Sequence, residues 1–252
     1  MRWKLDHILK KTGGGILLED DFILAINKPA GMLVLPDRYQ HEVLNLYDLL
    51  KDVFGSIFVV HRIDKDTSGI VLFAKTVESH AYLSQAFEQR EVEKKYYAIV
   101  CGTPHENNGC IDLPIIEQFS AGMKMKIDKK HGKNARTDYT VLERFYGYTF
   151  LEARPFTGRT HQIRVHLQSI GLPILADPLY GDGTGFLLST LKRNYQGKDE
   201  EKPLLARTAL HAHFLSLTHP STRERLKLEC LLPKDMEAVL KALRKYQIRN
   251  VS

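Results

Sequence analysis

Nine residues between two apolar stretches combine acidic and basic side chains in one short loop. The segment His61-Arg62-Ile63-Asp64-Lys65-Asp66-Thr67-Ser68-Gly69 places two carboxylates among three basic or histidine side chains. Threonine and serine beside a glycine hydrogen-bond to nearby backbone and favour a tight turn. A carboxylate held in such a loop could act as a nucleophile or as a general base. The same composition also fits a surface turn whose charges are solvated.

A second polar segment begins at Thr157 and contains THQIR. From Thr160 to Ile170 we predict a helix that ends at Gly171, where glycine terminates helices. An arginine presented on one face of this helix can bind a carboxylate bidentately and keep it ionised. A solvated basic face is the alternative. The polar face would hold His161, Arg164 and Gln168, and the apolar face Ile163, Leu167 and Ile170.

Two further histidines, His211 and His213, alternate along a predicted strand, so both lie on one face of it. With His161 or His166 they could in principle bind zinc. The sequence has no His-Glu-x-x-His pattern and no paired cysteine ligands, however. Partly buried histidines that hydrogen-bond at a strand are the better interpretation, and we predict no metal.

Residues 124–136 carry six basic side chains and a single acid, Asp128. The chain also contains other basic segments and many tyrosines, a combination typical of RNA-binding proteins. We therefore predict a hairpin or loop that contacts RNA, and an ordinary exposed loop is the alternative. The basic residues are Lys124, Lys126, Lys129, Lys130, Lys133 and Arg136.

Short runs rich in β-branched, aromatic and apolar residues predict the strands that position these segments. They lie at 22–27, 57–60, 70–75, 94–100, 137–145, 148–156, 209–217 and 225–232. Helices are predicted at 77–90, 160–170 and 233–246. The strands do not alternate regularly with crossover helices, which favours an α+β fold with a largely antiparallel sheet.

Composition and charge narrow the class of protein. The 252 residues are 43% apolar and 26% charged, which is typical of a globular protein. The net charge of +6 suits a polyanionic partner. Cys101, Cys110 and Cys230 form no C-x-x-C pair, and their odd number argues against a disulfide framework, so we expect a reduced, cytoplasmic location. We find neither a secretory signal nor an apolar run that could span a membrane.

Five segments resemble motifs of the RluA-type pseudouridine synthases. In chain order they are INKPAGMLV (26–34), HRIDKDTSGIVLFAK (61–75), VEKKYYAIVCG (92–102), TGRTHQIRVHLQSIGLPILADPLYG (157–181) and ALHAHFLSLTHP (209–220). They follow the order of the family, and the resemblance extends from about residue 18 to 246. The resemblance implies the pseudouridine synthase fold, which is an α+β fold with a mixed, mostly antiparallel sheet, flanking helices and a central RNA-binding cleft.

The resemblance also implies a domain organisation. We expect a single catalytic domain over residues 18–252, with an insertion at 182–203 that contains a short helix. Residues 1–17 would be a loose leader, too short for the S4-type RNA-binding domain that many relatives carry. RNA selection would then depend on the catalytic domain and its loops, including 120–136 and 182–203.

The activity implied by the resemblance is that of an isomerase. Such an enzyme detaches a uracil from its ribose, turns it and rejoins it through carbon, without a cofactor or metal. We expect large-subunit ribosomal RNA as the substrate, with transfer RNA as the alternative, and a monomer that does not bind membranes. A non-catalytic RNA-binding protein on the same fold and a metal-dependent hydrolase are the competing functions.

Site residues are carried over from the family motifs. Asp64 corresponds to the catalytic aspartate, Tyr96 to the residue that packs on the target base, and Arg164 to the basic partner of the aspartate. Whether Asp64 attacks the sugar, attacks the base or acts as a base at the ribose stays open. Arg62 corresponds to an arginine that can enter the space vacated by the flipped base. The predicted RNA-binding residues are Lys28, His61, Arg62, Lys65, Thr67, Lys124, Lys126, Lys129, Lys130, Arg159 and His161.

Overall fold

A computed structural model describes residues 2–37, 43–118, 124–192, 195–197 and 200–246. The strands are β1 (Gly15–Glu19), β2 (Ile23–Lys28), β3 (Phe58–Val59), β4 (Ser68–Ala74), β5 (Glu93–Cys101), β6 (Asn108–Asp112), β7 (Ile115–Gln118), β8 (Lys124–Ile127), β9 (Arg136–Arg144), β10 (Tyr148–Pro155), β11 (Leu210–Thr218) and β12 (Arg225–Glu229). The helices are α1 (Arg2–Lys11), α2 (Leu46–Phe54), α3 (Val77–Glu88), α4 (Gln162–Ser169) and α5 (Lys234–Tyr246), with a short 3₁₀ helix at Leu188–Thr190.

The chain divides into two compact units, each made of two separate stretches. Unit 1 comprises Met1–Lys95 and His211–Leu231. Unit 2 comprises Tyr96–Leu210 and Leu232–Ser252. That residues 18–252 act as a single catalytic domain stays a prediction.

Unit 1 is a mixed sheet with three helices. Four strand pairs, β1–β2, β2–β4, β3–β4 and β11–β12, are antiparallel, whereas β4 and β11 run parallel. Strand β4 is buried along its whole length, and Leu83 and Ala86 of α3 belong to the same core. Helix α3 begins at the N-cap Thr76, whose hydroxyl accepts a hydrogen bond from the Ser79 amide.

Gly69 makes the parallel pairing of β4 and β11 possible. Its φ is +114°, a backbone conformation that side-chain-bearing residues rarely adopt. A Cβ atom at this position would lie 2.2 Å from the carbonyl oxygen of Ala212, its partner in β11. Only glycine allows the two backbones to approach so closely, and this glycine ends the His61–Gly69 segment at its junction with the sheet.

Unit 2 is antiparallel throughout its paired strands. β5 pairs with β10, β10 with β9, and β9 with β6, while β7 and β8 form a separate hairpin. The apolar faces of β5 and β10 pack with α4 and α5. In α5 the buried residues recur at helical spacing, as predicted; they include Met236, Val239, Leu240 and Leu243. The fold is therefore a mixed, mostly antiparallel α+β arrangement, as predicted.

One local prediction is wrong. Residues 1–17 are not a loose leader, because α1 covers Arg2–Lys11 and β1 begins at Gly15; burial of Leu5 and Leu9 stabilises this helix. The basic stretch 124–136 opens with strand β8, which pairs with β7 in a hairpin, one of the two forms predicted for it. The 182–203 segment contains the expected short helix, and its Phe186 and Leu191 are buried in the core of unit 2. Residues 193–194 and 198–199 of that segment, and 120–123 of the predicted RNA-binding loop, lie outside the described residues.

Candidate functional site

In unit 1, the predicted catalytic loop leads directly into β4. Asp64 is half-buried, and it lies between Arg62 and Lys65, which are exposed. The buried side chain of Ile63 anchors the loop, and the Thr67 amide donates a hydrogen bond of 3.2 Å to the Asp64 carbonyl oxygen. The loop thus holds a carboxylate at the surface of the unit with basic side chains on both sides.

Lys28 fixes this loop from the inside. Its side chain is fully buried, and its Nζ donates hydrogen bonds to the carbonyl oxygens of Pro29, Met32 and Lys65 at 2.9, 2.7 and 3.0 Å. The Gly31 amide also donates to the Lys65 carbonyl oxygen, at 2.9 Å. Direct contact of Lys28 with RNA does not fit this burial. The lysine instead ties the INKPAGM turn to the loop that carries Asp64.

His61, which is half-buried, and Thr67 also stabilise the loop. The Leu72 amide donates to Nε2 of His61 at 2.9 Å, and the His61 ring stacks on Phe87 with 4.7 Å between ring centroids. Desolvation, helped by the nearby charge of Lys94, lowers the pKa of His61 to about 3, so the ring is neutral at physiological pH. Thr67 is buried. Both residues hold the backbone around Asp64 in place.

In unit 2, a network of hydrogen bonds centred on Gln162 holds the start of α4. The Gln162 Nε2 donates to the carbonyl oxygen of Arg136 and to the hydroxyl of Thr137. Its Oε1 accepts hydrogen bonds from the Thr157 hydroxyl and from the Arg159 amide. The TGRT turn, the first turn of α4 and the beginning of β9 are therefore fixed to one another.

Arg164 is buried, and its guanidinium pairs with Asp177. Nε donates to Asp177 Oδ2 at 2.7 Å and Nη2 donates to Oδ1 at 2.8 Å, a bidentate geometry. The arginine side chain is 7% exposed and the aspartate is fully buried. The guanidinium also lies 5.2 Å from the ring centroid of Tyr180. The prediction that Arg164 is the partner of Asp64 joins residues of different units and stays a prediction.

Asp177 is ionised despite its burial. Burial alone would raise the pKa of this carboxyl, but the Arg164 hydrogen bonds and charge and the amides of Leu179 and Tyr180 lower it below its usual value. The Tyr180 hydroxyl accepts a hydrogen bond from the Met125 amide of β8 at 2.7 Å and lies 3.1 Å from Nδ1 of His161. A fixed positive charge, its counter-ion and strand β8 thus form one cluster.

The predicted two-faced character of α4 is wrong. His161 precedes the helix in a left-handed conformation, with φ +52°, rather than lying on its polar face. Arg164 and His166 are buried, whereas Ile170 is 40% exposed. His166 hydrogen-bonds to Thr137 and to the Leu113 carbonyl oxygen, and desolvation lowers its pKa. The helix is an interior element whose polar side chains have specific partners.

The remaining predicted residues of unit 2 differ in exposure. Tyr96 is half-buried in β5, where it pairs with Ala153 of β10 and packs against the core. Lys124 is half-buried, with its Nζ 5.4 Å from the Tyr180 ring centroid. Side chains exposed to solvent are those of Lys126, Lys129, Lys130 and Arg159.

The two histidines of β11 are interior residues, as the alternation suggested. Nδ1 of His211 lies 2.9 Å from the Ser68 hydroxyl, and desolvation lowers the pKa of His213 to about 4. Within the described ranges, no three His, Cys, Asp or Glu side chains are grouped so that they could hold a metal ion. Among the same residues, no helix has the length and apolar character needed to cross a membrane.

Comparison with known proteins decides the class of this site. A family model described as RNA pseudouridylate synthase matches residues 22–169, a segment that contains Asp64, Tyr96 and Arg164. The ribosomal large subunit pseudouridine synthase D of Nitrosomonas europaea is 41% identical over 94% of this chain and 67% of its own length.

The chain belongs to the RNA pseudouridylate synthase family.

Other members of the family agree with this assignment. The ribosomal large subunit pseudouridine synthase D of Pseudomonas aeruginosa is 39% identical over 91% of this chain and 71% of that protein. The dual-specificity RNA pseudouridine synthase RluA of Vibrio vulnificus is 36% identical over 82% and 78% of the two chains. The RluA-type resemblance and the isomerase activity on RNA predicted from the motifs are confirmed.

A solved structure supports the fold. Human RNA Pseudouridylate Synthase Domain Containing 4 superposes with a TM-score of 0.70 and 29% identity, covering 97% of this chain and 98% of that one. The mixed α+β pseudouridine synthase fold is therefore confirmed, and an isomerase replaces the metal-dependent hydrolase and the non-catalytic binding protein as the function of this chain.

Two residues of the site were missed by the sequence analysis. Asp177 and Tyr180 lie in the ADPLYG segment, which was noted only as part of a motif. A signal for Asp177 was available in its position, because an arginine fixed on a helix is commonly paired with a carboxylate. Asp177 is the first acidic residue that follows Arg164 in the chain.

Proposed function

We propose that this synthase modifies uridine in large-subunit ribosomal RNA, with Asp64 as the catalytic residue. The relatives from Nitrosomonas europaea and Pseudomonas aeruginosa are named as ribosomal large subunit enzymes, which supports this class of substrate. The observation that carries the proposal is the half-buried Asp64, which lies in a loop that Lys28 fixes through a hydrogen bond to the Lys65 carbonyl oxygen. This loop falls within the segment that matches the family model.

The reaction needs no net oxidation or reduction. The bond between N1 of uracil and C1′ of ribose breaks, and a bond between C5 and C1′ forms. The hydrogen on C5 leaves as a proton, and N1 gains one, so the product is an isomer of the substrate. Cleavage develops positive charge on the sugar, which a nearby carboxylate stabilises or attacks. Attack on the sugar, attack on the base and proton abstraction at the ribose are the three roles open to Asp64.

Each remaining catalytic residue has a distinct proposed role. The target base leaves the helical stack, which costs a few kcal/mol. Stacking on the Tyr96 ring and occupation of the vacated space by Arg62 would offset this cost. Arg164, kept charged and fixed by Asp177, would favour the ionised form of Asp64.

The predicted RNA-binding residues separate into three groups. Arg62, Lys65, Lys126, Lys129, Lys130 and Arg159 are exposed, and we propose that they contact the RNA directly. Lys28 and Thr67 are buried and His61 is half-buried, and these three act as positioning residues of the Asp64 loop. Lys124 and His161 are half-buried and border Tyr180, whose hydroxyl binds β8.

Tritium release from RNA labelled at uridine C5 tests the proposal directly, because isomerisation expels that hydrogen. Ribosomal and transfer RNA should be assayed separately with the wild type, with Asp64→Asn and with Asp66→Asn as the matched control from the same loop. We expect release from ribosomal RNA by the wild type and the control, and none by Asp64→Asn. Full activity of Asp64→Asn would refute the catalytic assignment.

Transfer RNA is the alternative substrate, and the name of one relative is a reason to test it. The Vibrio vulnificus RluA is named a dual-specificity enzyme, so more than one RNA is acted on within this family. Release from transfer RNA alone would replace ribosomal RNA as the substrate while leaving the role of Asp64 intact.

We further propose that the enzyme is a metal-independent monomer of the cytoplasm. Its cysteines are free thiols, of which Cys230 is buried and Cys110 exposed, a state that suits a reducing compartment. Light scattering during size-exclusion chromatography would give one 28.9 kDa species if the chain is monomeric. Activity that is unchanged by a chelator would support metal independence.

A further inference from the structure

Helix α1 presents a basic face that carries the single tryptophan of the chain. Buried Leu5 and Leu9 fix the helix against α2 and β1. Successive residues of an α-helix are rotated by about 100° around its axis. On this basis, five exposed side chains are adjacent on the side of α1 opposite to Leu5 and Leu9. Asp6, the only acid of the helix, is half-buried and lies outside this arc. The five residues of this α1 basic face are Lys10, Trp3, His7, Lys11 and Lys4.

Ordinary helix stabilisation explains only part of this face. Lys10 and Lys11 lie in the last turn, where cations interact favourably with the helix dipole. Lys4 lies near the first turn, where a cation is disfavoured. Trp3 is 74% exposed and therefore adds little to the core. Neither feature follows from folding requirements.

Neighbouring residues offset the charge of the face only at its edge, where Asp6 lies four residues before Lys10. Arg2 is engaged on another side, where it forms an ion pair with Glu19 and lies 5.9 Å from the Phe54 ring centroid. Helix α2 carries Lys51 between two exposed acids, Asp48 and Asp52, so the basic face is confined to α1.

We propose that the α1 basic face binds single-stranded RNA, with an unpaired base stacked on Trp3 and phosphates bound by Lys4, Lys10 and Lys11. The inference rests on the proposed function, since it takes a flanking part of the substrate RNA as the partner. Three cations without an acid complement a phosphate backbone, and an exposed indole offers a stacking surface.

Chemistry favours RNA over a lipid surface as the partner. An interfacial helix inserts a broad apolar face into the lipid. The apolar face of α1 is occupied by the protein itself, because Leu5 and Leu9 are buried. The exposed side has one aromatic residue and no aliphatic one, which suits stacking with a base and offers little to a bilayer.

Tryptophan fluorescence, excited at a wavelength that the eleven tyrosines do not absorb, reports this face alone, because Trp3 is the only tryptophan. The full-length protein should be titrated with a short oligoadenylate, which contains no uridine for the catalytic site. We expect quenching of Trp3 on binding. Trp3→Ala, followed by anisotropy of labelled oligoadenylate, should weaken binding by about tenfold, the order expected for one stacked base.

Charge variants provide a matched comparison. Lys4→Gln/Lys10→Gln/Lys11→Gln should lower the affinity and reduce the slope of log K against log salt by about 2, since each single-strand phosphate contact contributes roughly 0.7. Lys227→Gln/Lys241→Gln/Lys245→Gln removes the same charge from exposed positions elsewhere and should leave the slope nearly unchanged. An equal effect of the two triple variants would overturn the proposal.

Two further outcomes separate this proposal from the proposed function. Absence of quenching, with normal tritium release from substrate RNA, would overturn RNA binding by α1 and leave the enzyme assignment intact. Quenching without any tritium release would support α1 as an RNA-binding element while contradicting the activity. A Trp3 response to anionic phospholipid vesicles but not to oligoadenylate would identify a lipid surface instead and overturn the proposal.

Discussion

Arg164 and Asp177 form a charged pair that does not face solvent. The bidentate pair is almost completely removed from water, and two backbone amides complete the hydrogen bonds of the carboxylate. Breaking such a pair on one side is costly, because the remaining charge stays buried without compensation. The pair therefore sets both the charge and the position of the guanidinium.

Replacing the buried carboxylate should destabilise the protein strongly. We expect Asp177→Asn to lower the free energy of unfolding by about 3–5 kcal/mol, measured by urea denaturation. The matched control is Asp235→Asn, which breaks another bidentate pair, with Arg207 at 2.7 and 2.9 Å, but whose carboxylate side chain is 35% exposed. The control should cost about 1 kcal/mol or less. Equal losses in the two variants would contradict the assignment.

A neutral, desolvated His61 should make stability depend on pH. Its folded pKa of about 3 lies below the unfolded value near 6.5, so the unfolded state binds the proton more readily. The stabilising contribution is fully present above pH 6.5 and is lost as the pH falls towards 3. His61→Gln removes the titration, so the difference in unfolding free energy between wild type and variant should shrink by up to about 1.4 kcal/mol per pH unit below pH 6.5. A difference that does not change with pH would contradict this.

At the scale of elements, helix α4 lies in the interior although its sequence suggests a polar and an apolar face. Helix α4 buries six consecutive residues, Gln162 to Leu167, so no face is reserved for solvent. Its polar residues are accommodated because Gln162, Arg164 and His166 each have specific hydrogen-bond partners. Such a helix does not follow the usual alternation of polar and apolar faces.

The parallel pairing of β4 and β11 should depend on Gly69. We expect Gly69→Ala to cost about 1–2 kcal/mol from its left-handed backbone and about 1–3 kcal/mol more from overlap with Ala212. Gly55→Ala is the matched control, because φ at Gly55 is +72° but no atom lies within 4 Å of the added methyl group. The control should show only the backbone cost in thermal or urea unfolding. A loss for Gly69→Ala no greater than that of the control would exclude the close-approach argument.

At the scale of the whole molecule, each unit has its own apolar core and the chain carries a net charge of +6. A charge of this size favours association with a polyanion but does not select a sequence. Specificity for one RNA must come from particular side chains that the fold positions. Several of the exposed lysines lie in the β7–β8 hairpin and in the turn that follows it.

Salt dependence of RNA binding should reveal which lysines contact phosphates. Lys126→Glu/Lys129→Glu should weaken binding and reduce the slope of log K against log salt by about 1–2. Lys227→Glu/Lys241→Glu changes the net charge equally at exposed positions elsewhere, and a small effect is expected. Comparable effects of the two double variants would mean that general electrostatics, rather than the β7–β8 hairpin, determines affinity.

The sequence by itself determined the family, eight of the twelve described strands and the identity of the loop that carries Asp64. These are local properties, since motifs such as HRIDKDTSG and the apolar runs of β2, β4 and β11 are readable from neighbouring residues. Helices α3 and α5 were predicted for the same reason, because their apolar residues recur at helical spacing within the segment itself.

Only the tertiary structure decided where the charged groups lie and with what they pair. Lysine is usually exposed to solvent, yet Lys28 is buried and binds three carbonyl oxygens. The sequence does not identify Asp177 as the partner of Arg164, and it predicts a loose leader where the structure has helix α1. The physical reason is that burial and pairing depend on segments that are distant in the chain, whereas propensity and motif are properties of adjacent residues.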